Sequence, residues 1–361
     1  MKKNVLIIGT GTIGEPLIGL LADLKDEFNI NVFFHKRTPL VDEYAKVESL
    51  CERGAKLTVD QEKWNEFLQL RHKPNFNFER ALSIANVVID CTPSGNDNKE
   101  KNYLPIVKEE ENFGCGKRKR IFIAQGSEKG FGLPYAYGIN DSALVRSTPN
   151  FVQVVSCNTH NICSILKSLS PELDTIIDSD FTCIRRANDI SQNGSFIASP
   201  QVGGHPDNTF GTHHARDASR VLETMYYNLP IYSSAMKINS QYMHTIRFNV
   251  TLAGHHDKQS VEHMFRENPF IALTYKNLAN KVFSFGRDHG YYGRIFNQAV
   301  ISLPSLGVTS LGGTTKVTGF CFTPQDGNSL LSSIAAALYG LYGKDYEEKM
   351  KVLNKHLFSE I

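Results

Sequence analysis

The 361-residue sequence has no apolar run near the roughly 20 residues needed to cross a bilayer. It has no Cys-x-x-Cys pair, and its seven cysteines form an odd, scattered set. In a chain of this length that argues for reduced thiols and a cytoplasmic location rather than a disulfide framework. An excess of one charge is missing too. The 39 Lys and Arg stand against 37 Asp and Glu, a net charge of +2, so no general attraction to nucleic acid or to a membrane surface is implied. The one concentrated basic run, Lys117-Arg118-Lys119-Arg120, is short and reads as a solvated loop rather than a nucleic-acid patch. No internal repeat or low-complexity linker is present. The N-terminal Met-Lys-Lys-Asn could open a secretory signal, but Gly9 breaks the following apolar run far too early.

What is present is a two-domain pattern. Hydrophobic residues make up 41% and charged residues 21%, enough apolar material for sizeable cores, and the length exceeds what one core usually fills. Residues 5–8, 31–35, 87–90, 121–124 and 152–156 read as short strands buried on both faces. Between the first two lies a helical stretch, 16–24, in which Leu17, Leu20, Leu21 and Leu24 recur at helical spacing. The expected fold class is α/β, an N-terminal Rossmann-type doubly wound parallel sheet. Beyond residue 157 the strands lengthen and partly alternate, at 181–185 and 242–252, implying an α+β domain with a mainly antiparallel sheet. A Gly/Ser/Asn/Pro-rich stretch, 188–212, reads as a long loop of the kind that often carries function. Helices are expected at 330–341 and 346–357. The expected boundaries are 1–156, 157–324 and 325–361, the last returning to the first domain.

Gly9-x-Gly11-x-x-Gly14 stands between a strand and a helix, the context a dinucleotide fingerprint requires. Glycine there permits a tight turn, a close backbone approach to a pyrophosphate and close helix–strand packing, and the helix start supplies amide donors for phosphate. The acid that normally meets the ribose 2′-hydroxyl after the second strand is absent; Lys36 and Arg37 stand there instead. They would suit the 2′-phosphate of NADP, with NAD use also open, or they are two exposed loop charges. Cys157 follows a strand and enters a helical stretch, a position that favours a thiolate, although a lone cysteine is also commonly a small buried hydrophobe. Cys163, and Cys91 and Cys183 within strands, read as core residues.

The run Val154-Val155-Ser156-Cys157-Asn158-Thr159 resembles the nucleophile motif of the glyceraldehyde-3-phosphate dehydrogenases. Further segments resemble their archaeal-type (type II) phosphorylating branch in the same order: Gly9 to Gly14, Asp90-Cys91-Thr92-Pro93-Ser94-Gly95, Gln125-Gly126-Ser127-Glu128-Lys129, Arg185-Arg186-Ala187, His213-His214-Ala215-Arg216-Asp217 and Met243-His244. The resemblance runs from the first strand to Leu252, and more loosely through Gln325 to the C-terminal helices. It implies NAD(P)-dependent, reversible oxidation of glyceraldehyde-3-phosphate to 1,3-bisphosphoglycerate with inorganic phosphate, through a thioester on Cys157, in glycolysis or gluconeogenesis. It also implies a cytoplasmic homotetramer. By the same resemblance His244 is the general base. Ser156, Asn158 and Thr159 line the substrate and phosphate positions, and His213 and His214 contact the substrate phosphate. Gly9, Gly11, Thr12, Ile13, Gly14, Ser127, Arg186 and Gln325 touch the dinucleotide.

The residues themselves are compatible with these roles and leave alternatives open. A histidine is the usual partner of a nucleophilic thiol, but His244 in an apolar strand could be a core histidine. The His213-His214 pair could bind an oxyanion or form half a metal site, though no Cys or carboxylate set at zinc spacing completes one, so no metal is expected. Arg185-Arg186 could clamp phosphate or form structural salt bridges. The chain departs from the family pattern at Thr10, at His160 where a second threonine is usual, and along 98–119 and 286–319. A related semialdehyde dehydrogenase, or a catalytically silent dinucleotide-binding paralogue, would share much of this pattern.

Overall fold

Val5, Leu6 and Ile7 have no solvent exposure at all, because the strand that carries them is hydrogen-bonded on both edges and covered on both faces. A computed structural model of the protein describes residues 2–112, 120–126, 128–188, 194, 196–324 and 326–361. It divides into two units. The first comprises Met1–Leu133, Leu144–Val154 and Leu330–Val352, and the second Pro134–Ala143, Val155–Ser329 and Leu353–Ile361.

The first unit is built on β1 (Lys3–Ile8), β2 (Ile30–His35), β3 (Lys56–Val59), β4 (Phe76–Asn77), β5 (Val87–Asp90), β6 (Ile121–Gln125), β7 (Leu133–Tyr135) and β8 (Phe151–Val154). Their order is β4-β3-β2-β1-β5-β6-β8-β7, and the pairings from β4 through β8 are parallel. This is the doubly wound α/β sheet expected from short all-apolar strands alternating with helices. The helix Gly14–Asp23 follows β1, and residues from Leu330 onward in the helix Gly327–Tyr342 lie on the same sheet. There Gln125 Nε2 donates to Ser333 Oγ at 2.8 Å, and Tyr342 Oη donates to the Phe28 carbonyl at 2.5 Å.

The second unit holds β9 (Ile176–Arg185), β10 (Gln201–Val202), β11 (Ile231–Lys237), β12 (Thr245–Ala253), β13 (Ile271–Thr274), β14 (Ala299–Ser302), β15 (Gly307–Leu311) and β16 (Thr314–Phe322). Their order is β10-β11-β9-β12-β16-β14-β13, with β15 also on β16. The sheet is mainly antiparallel; only β9–β11 and β13–β14 run parallel. Alternation along β12 buries Ile246, Phe248, Val250 and Leu252, which pack with Ile162, Ile165, Leu166 and Leu169 of the helix Cys157–Leu169. That amphipathic pairing anchors the helix whose first residue is Cys157. Among the described residues no helix is long and apolar enough to cross a membrane.

Several boundaries differ from the sequence expectation. β8 stops at Val154 because Ser156 (φ −67°, ψ 158°) turns to cap the next helix. Pairing in β12 begins at Thr245, leaving His244 just before the strand. Cys91 follows β5 rather than lying in it, while Cys183 is in β9. The described part of 188–212 contains β10 and the isolated bridges of Gly211 with Asp207 and with Ser233. The last nine residues rejoin the second unit, where Thr274 Oγ1 donates to the Ile361 carbonyl at 2.5 Å.

Candidate active site

Ser156 builds the start of the Cys157–Leu169 helix. Its Oγ accepts from the Thr159 N–H at 3.4 Å and lies 2.9 Å from Thr159 Oγ1, a side-chain cap of the type Ser favours. The Ser156 carbonyl receives the backbone N–H of His160 at 3.0 Å. His160 Nδ1 sits 2.9 Å from the same carbonyl, so that nitrogen carries the proton. His160, where the family pattern has threonine, is fully buried, and burial holds it down to about 4, a neutral imidazole. Cys157 occupies the first helical position and is half-exposed. Asn158 and Thr159, expected to line the substrate, are instead buried: Thr159 belongs to the cap, and Asn158 Oδ1 accepts from Thr323 Oγ1 at 3.4 Å. Ser156 and Cys157 are the partly exposed members of the set.

His244 is brought into relation with this turn by Thr323. The Thr323 N–H donates to the His244 carbonyl at 3.0 Å, while its hydroxyl serves Asn158. The His244 ring is half-exposed, and its Nδ1 accepts the backbone N–H of Arg186 at 3.0 Å. An accepting Nδ1 places the ring proton of neutral His244 on Nε2. With Nδ1 occupied as an acceptor, the ring presents an N–H donor rather than a second lone pair.

His213 opens the helix His213–Glu223 and is exposed, whereas His214 is buried, the two ring centroids lying 4.0 Å apart. The helix start is shaped by Ser233 of β11, whose Oγ accepts the Ala215 N–H at 3.0 Å and lies 2.7 Å from Thr212 Oγ1. No acid stands in the first turn, so the dipole of this helix end is not offset by a local carboxylate, and His213 is its exposed side chain. Arg216 is drawn away from it, with Nη2 2.6 Å from Asp207. Arg185 ends β9 half-buried and Arg186 is buried beyond it. Among the described residues no group of three or more His, Cys, Asp or Glu is placed to hold a metal.

The glycine turn of the first unit fits a dinucleotide. Gly9 has φ +94°, and a Cβ on Gly14 would stand 2.1 Å from the Gly9 carbonyl oxygen, so both are required by the turn. A Cβ on Gly11 would meet nothing within 4 Å, and Gly11 is exposed. Its smallness answers to nothing inside the protein, which suits close approach by a pyrophosphate. Thr12 and Ile13 are half-exposed beside it. Lys36 departs from its expected role: it is buried and paired with Glu43, whose other oxygen holds Lys46 at 2.6 Å. Arg37 stays exposed. Ser127 and Gln325 lie outside the described residues. Sequence reasoning missed Glu43 and Thr323. No local pattern marks either, although an acid seven residues from a cation was visible.

No family model matches the chain. Curated proteins do. Glyceraldehyde-3-phosphate dehydrogenase of Sulfolobus acidocaldarius is 25% identical over 311 residues, 83% of this chain and 82% of its own. The protein of the same name from Pyrobaculum islandicum is 25% identical over 294 residues, covering 80% and 78%. That from Methanobacterium formicicum is 28% identical over 276 residues, covering 75% and 74%. With a parallel α/β sheet followed by a mainly antiparallel one and a capped cysteine at the start of a helix in the second unit, the chain is similar over three quarters or more of its length to archaeal proteins named glyceraldehyde-3-phosphate dehydrogenase.

Proposed function

We propose that the protein is an NAD(P)-dependent phosphorylating aldehyde dehydrogenase, acting on glyceraldehyde-3-phosphate through a thioester on Cys157. The observation that carries this reading is Cys157 at the first position of a side-chain-capped helix, tied through Thr323 to His244. A helix start favours an anion, so the nucleophile reacts as thiolate. Its sulfur adds to the aldehyde carbon, giving a thiohemiacetal alkoxide. His244 donates its Nε2–H to that oxygen, stabilising the developing charge. The dinucleotide would supply the hydride acceptor when bound, and Gly9, Gly11, Thr12, Ile13 and Gly14 would hold its phosphates. Loss of hydride from the alkoxide carbon leaves the acyl thioester. Inorganic phosphate attacks the acyl carbon, the C–S bond breaks, and acyl phosphate leaves with the thiolate restored. The proton of the attacking hydrogen phosphate leaves with the acyl phosphate and passes to solvent, so a donor at His244 suffices.

The anion-favouring start of the His213–Glu223 helix would take a phosphate of the substrate or the attacking phosphate, with His213 as its side-chain contact. The cofactor assignment extends to NADP as well as NAD through Arg37. The resemblance further supports a cytoplasmic homotetramer. The deciding experiment is NAD(P)H formation from glyceraldehyde-3-phosphate with and without inorganic phosphate, beside a panel of semialdehydes. Phosphate-dependent turnover with glyceraldehyde-3-phosphate supports the reading. Turnover only with a semialdehyde, or none with any aldehyde, overturns it.

A further inference from the structure

Beneath Cys157 lies a closed ring of hydrogen bonds. Asn161 Nδ2 donates to the Cys157 carbonyl at 2.9 Å and to the Gln298 carbonyl at 2.8 Å. Asn328 Nδ2 donates to the same two carbonyls, at 3.2 and 3.1 Å. Each amide nitrogen has two protons, and each pair bridges both oxygens. The orientation of both amides is fixed from the other side. Asn161 Oδ1 faces the Cys321 thiol at 3.3 Å, and Asn328 Oδ1 accepts the Ser329 N–H at 2.8 Å. Asn161, Gln298 and Asn328 have no solvent exposure, so water does not compete for these bonds.

We infer that Asn161 and Asn328 are positioning residues for Cys157: their paired carboxamides clamp its carbonyl and hold the thiol on its line of attack. The inference rests on Cys157 being the nucleophile. Ser156 fixes the peptide before Cys157 through the cap, and the two amides fix the peptide after it. With both flanking peptides held, the direction of the Cys157 Cα–Cβ bond is set, and rotation about that single bond is what remains. Three separate segments meet at the clamp: the nucleophile helix, the residue just before β14, and the first turn of the Gly327–Tyr342 helix. Satisfying two buried carbonyls would need only one donor each. Doubling the donors on the nucleophile's own carbonyl is what points to positioning, because a bound aldehyde reacts only within a narrow approach geometry.

The test uses the full chain and the variants Asn161→Ala and Asn328→Ala, made separately. Either one leaves the other amide bridging both carbonyls, so the fold keeps a link. The readouts are the single-turnover acylation burst with glyceraldehyde-3-phosphate, KM, the rate of Cys157 alkylation by iodoacetamide, and Tm. The burst rate should fall roughly ten- to hundredfold in each, with KM within about twofold. Alkylation should hardly change, because a small diffusing reagent needs no fixed approach. An unchanged burst overturns the clamp. So does a burst that falls in step with alkylation and Tm, or failure of both variants to fold, since either result makes the ring a structural support only. Cys157→Ser is the separate control. Retained turnover there removes the nucleophile reading, whereas a dead control with unaffected clamp variants removes only the clamp.

Discussion

The backbone N–H of Arg186 points at Nδ1 of His244 from 3.0 Å, joining residues 58 apart in the chain. That one bond makes His244 a donor at Nε2, and it yields a clear prediction. His244→Ala should slow acylation by roughly 10²- to 10³-fold, the usual loss for one oxyanion donor. His244→Gln keeps an N–H and should recover part of that loss. The acid limb of the pH–rate profile should stay in place in both. A limb that moves or vanishes with His244 would show that the imidazole takes the thiol proton after all.

Among the cysteines of the described residues, thiol labelling should single out Cys157. Burial pushes the Cys183 thiol up to about 12 and Cys51 to about 11, and raises Cys163 and Cys321 further, so these stay protonated near neutral pH. Mass spectrometry after brief iodoacetamide treatment should find label on Cys157 before these, with loss of turnover tracking its modification. Cys157→Ser should abolish oxidation and leave dinucleotide binding nearly intact. Cys163→Ala, in contrast, should cost about 1 kcal/mol of stability and little activity.

His160 should make stability depend on pH. Its folded value, held to about 4 by burial, lies below the ordinary 6.5. The folded state therefore resists a proton that the unfolded chain accepts. Stability from this group is complete above the ordinary value and is lost as pH falls from about 6.5 towards 4, by roughly 3 kcal/mol in all. His160→Gln should flatten that part of a Tm-against-pH curve. An acid limb just as steep in the variant would show that other groups control it.

Cofactor choice should depend on Arg37 and on the Glu43 carboxylate. Arg37→Ser should weaken NADP about tenfold more than NAD, the effect of losing one charge-assisted bond to the 2′-phosphate. Glu43→Gln should shift preference towards NADP, because it removes the anion that now neutralises Lys36 and Lys46. Dissociation constants for both cofactors, from fluorescence titration of each variant, decide the matter. Equal changes for NAD and NADP in Arg37→Ser would make Arg37 a solvated loop charge.

Much of the first unit was legible because its signals are local. Glycine at 9 and 14 is dictated by a turn of six residues, and the strands of that sheet announce themselves as short apolar runs. The helix beginning at Cys157 was legible for the same reason: Ser156 caps it from the adjacent position, and Ile162, Ile165, Leu166 and Leu169 mark its buried side. A chain determines such features from neighbours a few residues away. Which way a polar side chain finally turns is decided by partners the sequence does not place beside it. Lys36 turns inward only because a turn at Val41–Glu43 brings an acid to it, and Asn158 only because Thr323 arrives 165 residues later. His244 takes its tautomer from a backbone amide of β9's far end, and the Cys157 carbonyl meets Asn328 across 171 residues. Hydrogen bonds of this kind form only once the sheet has brought the segments together. The local elements were thus written in the sequence, and the direction of each donor and acceptor was left to the tertiary fold.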